Sequence, residues 1–394
     1  MVILREGDHP IQRSQLPRHV HTAMEKLRDA GFKAYIAGGA LRDLLVGRNP
    51  KDVDIATNAR PEQVRRIFRN SRMIGRRFRL VHVYEHGQLL EVSTFRSNEA
   101  EDERQSKFIK QSDEGMLLRD NKYGTPEQDA IRRDFTINAL FLDSGDFSLV
   151  DYVHGLKDIE SKVVRSIGEP GQRIAEDPVR MIRAIRFAAL LDFSLEPDLY
   201  EAILVNASRI QQASAARMFE EIKKLFLCGR AHRVLELLLE TGVFGYMFPE
   251  LGNVAVKDSP QHQWLERIMR QFDRWHAHQV PVSGALLIAL LFGKYHEALI
   301  AQAMADGMPP YPAAETCVAR HMARMNEHVS VPNAITRHVA QIMAMQHRLA
   351  TPKESAVKKL VHRACFHDAY IYFKISARFD QARDDAVTWW EKHV

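Results

Sequence analysis

Cysteine is scarce in this chain of 394 residues. Its three cysteines, Cys228, Cys317 and Cys365, lie far apart and form no CxxC pair. That excludes a disulfide scaffold and argues against a structural zinc site. Long apolar runs are missing too. The longest strongly apolar stretch, Ala285 to Phe292, is far short of the ~20 residues that span a bilayer. The opening residues MVILREGDHP hold no apolar segment behind a basic start, so no secretory signal is expected. No Walker-A GxxxxGK[ST] occurs, which disfavours a P-loop NTPase. Internal repeats and low-complexity segments are absent as well. A reducing, cytoplasmic setting and no membrane partner are expected.

What is present is ordinary globular material. Hydrophobic residues make up 45% and charged residues 27%, which supports a sizeable core. At about 100–200 residues per domain, two or three domains are expected. The net charge is only +5, but its distribution is uneven. Residues 60–79 hold eight arginines and one acid, Glu62. Such a local excess is an electrostatic footprint for phosphates, and equally the mark of a solvated helix face.

The first part of the chain mixes strand and helix signals. Lys33 to Ala37 reads as a strand running into Gly38-Gly39, and Ala40 to Val46 as a helix stopped by Gly47. Asp52-Val53-Asp54-Ile55 alternates with period two, as a half-buried strand does. Pro61 opens a basic amphipathic helix. Leu80 to Tyr84 and Leu89 to Phe95 read as strands joined by a turn over residues 85–88. Residues 98–121 are charged and aperiodic and read as a mobile loop. A further α+β stretch covers 132–158. Beyond about residue 170 strand signals nearly vanish. Asp177-Pro178 reads as an N-cap followed by the first helical position, and Val179, Ile182, Ile185 and Ala189 recur at helical spacing. Helices are expected over Ala231 to Glu240 and Pro352 to Cys365, with a loop at Pro309 to Pro312. The predicted fold class is α+β, followed by an all-helical region that divides near residue 250.

Chemistry first surfaces at Asp52 and Asp54. Residues two apart on a strand share a face, and two adjacent carboxylates repel unless a cation lies between them. Mg²⁺ accepts carboxylate oxygens and keeps positions open for water and substrate phosphates. A lone DxD is more often a pair of exposed acids. Here Gly38-Gly39 precedes it at a strand-to-helix turn, where glycines let backbone N–H groups approach a phosphate. Arg42 follows and can add charge-assisted bonds. Farther on, Arg180 and Arg183 stand one turn apart behind Asp177. That set can present donors and an acceptor to the edge of a base, or form a simple ion pair.

Four blocks in order, Gly38-Gly39-Ala40-Leu41-Arg42-Asp43, Lys51-Asp52-Val53-Asp54, the run RRDFTINAL from Arg132 and the run EDPVRMIRAIRF from Glu176, resemble the nucleotidyltransferase signature of the class II family. That family unites bacterial poly(A) polymerases and tRNA CCA-adding enzymes. The segment from Gly75 to Val83, GRRFRLVHV, together with Asp120 to Thr125, is more similar to the poly(A) polymerase branch. The resemblance is clear to about residue 250 and faint beyond.

The resemblance implies a catalytic head over 1–158, a helical neck over 159–250 and a helical RNA-binding body over 251–394, in an elongated molecule. It implies that Asp52 and Asp54 hold two Mg²⁺ ions, with Asp134 as third catalytic carboxylate and Glu91 as the alternative. Gly38, Gly39, Arg42 and Arg133 would contact the triphosphate, and Asp177, Arg180 and Arg183 the incoming nucleotide. Arg65, Arg66, Arg69, Arg76 and Arg77 are candidate RNA contacts. The implied reaction is template-independent transfer of AMP from ATP to RNA 3′ ends with release of pyrophosphate, serving mRNA polyadenylation and decay. CCA addition to tRNA is the alternative enzyme reading. An RNA-binding protein on a decayed scaffold is the non-enzyme one, which the intact Asp52, Asp54 and Asp134 disfavour. The chain departs from its branch in ending Trp389-Trp390-Glu391-Lys392-His393-Val394, without a strongly basic tail.

Overall fold

A computed structural model describes residues 1–75, 79–97, 122–252, 257–378 and 383–394, and the backbone alone of 109–111 and 117–120. Packing groups the chain into two compact units, Met1–Asn206 and Ala207–Val394.

In chain order the first unit comprises β1 (Val2–Leu4), α1 (Arg18–Asp29), β2 (Ala34–Ala37), α2 (Gly39–Leu45), β3 (Asp54–Thr57), α3 (Pro61–Ile67), β4 (Ser71–Ile74), β5 (Leu80–Glu85), β6 (Gln88–Thr94), β7 (Ile109–Gln111), β8 (Leu117–Asp120), α4 (Pro126–Ile131), β9 (Leu140–Asp143), β10 (Leu149–Asp151), α5 (Gly155–Glu160), β11 (Val163–Val164), α6 (Pro170–Glu176), α7 (Val179–Leu191), β12 (Ser194–Leu195) and α8 (Pro197–Asn206). Among the described residues eight strands form one mixed sheet, in the order β1-β10-β9-β2-β3-β6-β5-β4, and of these only β3 and β6 pair in parallel.

The period of two divides this sheet cleanly. Ile36, Ile55, Val81, Val83, Leu90 and Val92 point to one face, where Val20, Ala23, Met24 and Leu27 of α1 and Leu41 and Leu44 of α2 complete the main core. Each such fully buried aliphatic contributes roughly 1.5–3 kcal/mol. Tyr35, Ala37, Ala56, Phe95 and Phe141 point to the other face, against Ala130 of α4. The polar residues flanking these positions, Asp54, Glu91 and His82, share the parity of the second face.

Several sequence expectations need correcting. The strand begins at Asp54, not Asp52, because its partner β2 ends opposite it at Ala37, where Gly38 turns the chain away. Asp52 and Asp54 still lie exposed while Val53 and Ile55 are buried, so the alternation survives. Strand β4 lies inside the arginine-rich stretch, where charge hides its pattern. The expected loop over 98–121 contains a short hairpin of β7 and β8, and its other residues lie outside the described ones.

The second unit is helical: α9 (Ala215–Phe226), α10 (Ala231–Glu240), α11 (Val243–Met247), α12 (Pro249–Gly252), α13 (Pro260–Ala277), α14 (Gly284–Ala305), α15 (Pro310–Met325), α16 (Asn333–Ala350), α17 (Glu354–Val361), α18 (Phe366–Ala377) and α19 (Asp384–Glu391). Helix α14 is its axis, with every residue from Ala285 to Gly293 buried. Among the described residues it alone is long and apolar enough to cross a membrane, and more than half of that stretch is buried within the protein. The prolines expected to form a loop instead open α15, with Pro310 in its first turn, where a missing N–H costs nothing. The helix expected over 352–365 is shorter, Glu354–Val361. Trp390 is fully buried and its indole N–H donates to the Leu349 carbonyl at 2.9 Å, whereas Trp389 stacks on His393. The pair packs the last helix.

Candidate active site

Strand pairing assembles the site. Ala37 stands opposite Asp54 across β2 and β3, so Gly38-Gly39 begins where the first strand carboxylate emerges. Ile55 pairs with Val92 in parallel, which brings Asp54 level with Glu91. Glu91 in turn faces His82 across β5 and β6, its Oε1 lying 3.3 Å from the His82 Nε2. Asp54, Glu91 and His82 therefore cross three neighbouring strands on one face, with Asp52 at the entrance to β3.

These carboxylates repel one another. The Asp54 pKa is pushed up to about 6, first by the protein mass around it, then by Glu91 and Asp52, with Arg133 opposing. A raised acid with two anionic neighbours is a donor set that a positive charge would stabilise. The oxygens are the hard ligands that Mg²⁺ takes, usually one or two carboxylates completed by water and phosphate oxygens. Among the described residues no three His, Cys, Asp or Glu side chains form a ready-made metal cage.

Gly38 requires glycine. Its φ is +84°, and a Cβ there would stand 2.8 Å from the Arg133 Nη1. At Gly39 the nearest atom to an added Cβ would be the Arg42 Nη2, at 3.4 Å.

Around the glycines lies a network that sequence reasoning missed. Its hub is Asn138. The Asn138 Oδ1 accepts from the Arg42 Nη1 at 2.6 Å, its Nδ2 donates to the Asp134 Oδ1 at 3.2 Å, and its carbonyl accepts from the Arg133 Nη1 at 3.1 Å. Asn138 sits in a short 3₁₀ turn, Thr136–Asn138, inside the run already noted for Asp134. Its presence beside two charged blocks was the available signal.

The network engages two of the residues expected at the site. Arg42 is buried, with its Nε and Nη2 donating to Asp43 and its guanidinium over the Phe187 ring. It is enclosed rather than open to a triphosphate. Asp134 is likewise committed. One oxygen accepts from its neighbour Phe135 N–H and from Asn138, and the other from Arg183 Nε at 2.7 Å. Burial opposes its charge, but Arg183 and Arg180 outweigh burial and hold the carboxyl well below the usual range. Its neighbours are arginines, whereas those of Asp54 are Glu91, Arg133 and Asp52. The structure therefore groups Glu91, and not Asp134, with the DxD pair.

Helix α7 delivers the remaining groups. Pro178 has helical dihedrals, and the Asp177 Oδ1 accepts from the Val179 N–H at 3.4 Å, as the expected cap. Val179, Ile182, Ile185 and Ala189 are buried, leaving Arg180 and Arg183 on another face. The Arg180 Nη1 donates to the Arg133 carbonyl, and burial, then Arg173, pushes the Arg180 pKa down to about 10. Arg173, also unforeseen, donates to the Arg132 and Arg133 carbonyls and to Glu176. Arg132 is driven well below its ordinary value by burial and then by Arg96, Arg133, Arg180 and Arg173. So many guanidinium groups around so few acids is a concentration of positive charge suited to polyphosphate.

Arg65, Arg66 and Arg69 are exposed on and just beyond α3. Arg76 and Arg77 lie outside the described residues. His276 and His278 stand at the end of α13 and take part in no metal cluster among the described residues.

Comparison with known proteins now bears on this geometry. The chain is 36% identical to poly(A) polymerase I of Escherichia coli over 99% of its own length and 84% of that protein. Against poly(A) polymerase I of Haemophilus influenzae it is 43% identical over 74% of its length and 65% of the relative. This chain belongs to the bacterial poly(A) polymerase family of class II nucleotidyltransferases. It is an enzyme of the polynucleotide adenylyltransferase class. Family models described as "Poly A polymerase head domain", "Probable RNA and SrmB- binding site of polymerase A" and "Polymerase A arginine-rich C-terminus" match residues 34–165, 192–254 and 306–394. A CCA-adding enzyme of Leuconostoc mesenteroides is 36% identical over 59% of this chain and 56% of its own length. The fold matches a CCA-adding enzyme of Bacillus stearothermophilus solved with CTP, at TM-score 0.63 and 27% identity over 95% of this chain and 81% of that one. Enzymes of this family depend on divalent metal.

Proposed function

We propose that this protein transfers AMP from ATP to RNA 3′ ends, releasing pyrophosphate, in a cytoplasmic setting where such tails mark mRNA for decay. The observation that carries the reading is the crossing of Asp54 and Glu91 on adjacent parallel strands, beside Asp52 and the Gly38 turn. In this reading residues 1–158 are the catalytic head, 159–250 the neck and 251–394 the RNA-binding body.

Asp52, Asp54 and Glu91 would hold two Mg²⁺ ions. When bound, such ions acidify an attacking hydroxyl and neutralise charge on the leaving phosphates. The protein's own groups do the placing. The open backbone at Gly38-Gly39 receives the triphosphate, and the Arg133 guanidinium, held by Asp129 and the Asn138 carbonyl, sets positive charge beside it. Asp177, Arg180 and Arg183 present an acceptor and donors to the nucleotide. Asp134, through Arg183, and Asn138, through Arg42 and Arg133, keep those cations in position. The 3′-oxygen forms its bond to the α-phosphorus as the bond to the pyrophosphate oxygen breaks, so no covalent protein nucleophile is needed.

The nucleotide assay separates this reading from CCA addition, which the CCA-adding relatives make the second candidate. Offered ATP alone, the enzyme is expected to add long A-tails to an unstructured RNA, and CTP alone should support little. Asp52→Ala with Asp54→Ala should abolish addition and leave the circular dichroism unchanged. Strict C, C, A addition to a tRNA lacking its end, with no tail on the unstructured RNA, refutes the proposal.

A further inference from the structure

Helix α16 carries Gln341, Ala344, Met345 and Arg348 at helical spacing on one face. That face, together with Tyr311 at the start of α15 and Arg363 to Cys365 between α17 and α18, bounds a cleft of about 290 Å³. This is just under the size at which small-ligand pockets begin, room for one base. The cleft lies wholly within the second unit, apart from every residue used above.

Its chemistry is specific. Met345 and Cys365 are buried and give it an apolar floor. Burial pushes the Cys365 thiol up, so it stays neutral and serves as a wall rather than a nucleophile. Tyr311 is a large aromatic left 48% exposed, a cost that a stacking partner removes. Arg348 and Arg363 are both exposed, and among the described residues neither has a carboxylate within ion-pairing distance. The segment leading to Arg363 is basic too: residues 353–363 carry Lys353, Lys358, Lys359 and Arg363 against one acid, Glu354. An aromatic face over an apolar floor, flanked by two guanidinium groups with no protein anion, is complementary to a stacked base with its phosphates.

We infer that this cleft is a single-stranded RNA subsite, in which a base stacks on Tyr311 while Arg348 and Arg363 hold flanking phosphates of the tail or primer. The inference rests on the reading of the protein as an RNA-tailing enzyme. Nothing in the sequence pattern announced it, because the three segments meet only through helix packing.

The test uses the full chain with a labelled oligo(A) primer and ATP. Arg348→Ser with Arg363→Ser should raise KM for the primer and reduce the slope of log affinity against log salt by about 1.4, at roughly 0.7 per phosphate contact on single strands. Tyr311→Leu should weaken primer binding roughly tenfold. In each variant kcat at saturating primer, KM for ATP and the melting temperature should match wild type. Arg348→Lys with Arg363→Lys should restore the salt slope. Unchanged primer KM and salt slope in both the arginine and tyrosine variants overturn the inference. So does a loss confined to free ATP, inorganic phosphate or an acidic peptide with primer binding intact. Wild-type enzyme that extends no RNA from ATP would instead defeat the functional reading itself.

Discussion

Glu91 and Asp134 are both carboxylates near the glycine turn, yet their surroundings are opposite in charge. Glu91 is exposed beside Asp54 and raises that residue's pKa. Asp134 is spent on Arg183 and Asn138. Glu91→Gln should therefore abolish addition at unchanged stability, by more than the roughly 10–100-fold that loss of a merely supporting residue costs. Asp134→Asn removes the charge paired with the part-buried Arg183, at a cost of about 1.5–3 kcal/mol for a charged hydrogen bond. Its melting temperature should fall by roughly 3–12 °C, at about 2–4 °C per kcal/mol for a unit of this size. Full activity in Glu91→Gln would return the third position to Asp134. The pKa of Asp54 gives a second check. With its folded value near 6 against 3.8 for a free side chain, a divalent ion must displace a proton below that pH. Mn²⁺ affinity, measured by calorimetry on the nucleotide-free protein, should fall up to about tenfold per unit as pH drops below 6. By the same linkage, relief of the crowding adds stability that is full below 3.8 and lost as pH rises through about 6. Affinity that is flat from pH 7 to 5 would refute the crowding.

At the scale of elements, what was legible followed from local patterns. The strand into Gly38-Gly39, the hairpin turn at His86-Gly87 and the buried stripe of α7 were readable from periodicity and turn residues alone. Strand β4 was not, because its half-exposed residues, in an arginine-rich stretch, carry no apolar alternation, nor was helix α6, whose Arg173 finds its partners at Arg132 and Arg133, about 40 residues earlier. The buried histidine pair is of the same kind. His296 of α14 and His321 of α15 share a hydrogen bond of 2.9 Å and are wholly buried, and no spacing foretold it. Arg324, Tyr295 and the Glu250 carboxylate, 3.8 Å away, stand nearby. Burial and mutual repulsion hold His296 well below its ordinary value, while burial and Arg324 push His321 down to about 4. Both folded values lie below the unfolded one of 6.5, so their contribution is full above that pH and is lost as pH falls toward 4. The second unit should lose on the order of 3–4 kcal/mol between pH 6.5 and 5, at up to about 1.4 kcal/mol per unit for each of the two rings. All four tryptophans lie in that unit, so urea melts followed by tryptophan fluorescence report it directly. Replacing both rings, His296→Leu with His321→Leu, should flatten the dependence, and a slope unaltered by that change would show that other groups cause it.

Across the whole molecule the question is where RNA affinity resides. The C-terminal region that matches the arginine-rich family model, residues 306–394, holds seven arginines and five lysines against nine acids. Its charge is nearly balanced. Residues 60–79 hold eight arginines against one acid, and Arg65, Arg66 and Arg69 are exposed without a carboxylate partner among the described residues. Long-range attraction of a polyanion follows net local charge, whereas individual contacts such as those at Arg348 need only geometry. Electrostatic capture of RNA should thus be concentrated near α3. The triple variant Arg65→Ser, Arg66→Ser, Arg69→Ser should lower the slope of log primer affinity against log salt by about 2, at roughly 0.7 per lost phosphate contact. It should do so while kcat at saturating primer stays at the wild-type value, because none of the three touches Asp54, Glu91 or the glycine turn. A triple variant with the wild-type salt slope would place the capture surface elsewhere, and the balanced C-terminal region would then have to supply it through contacts rather than field.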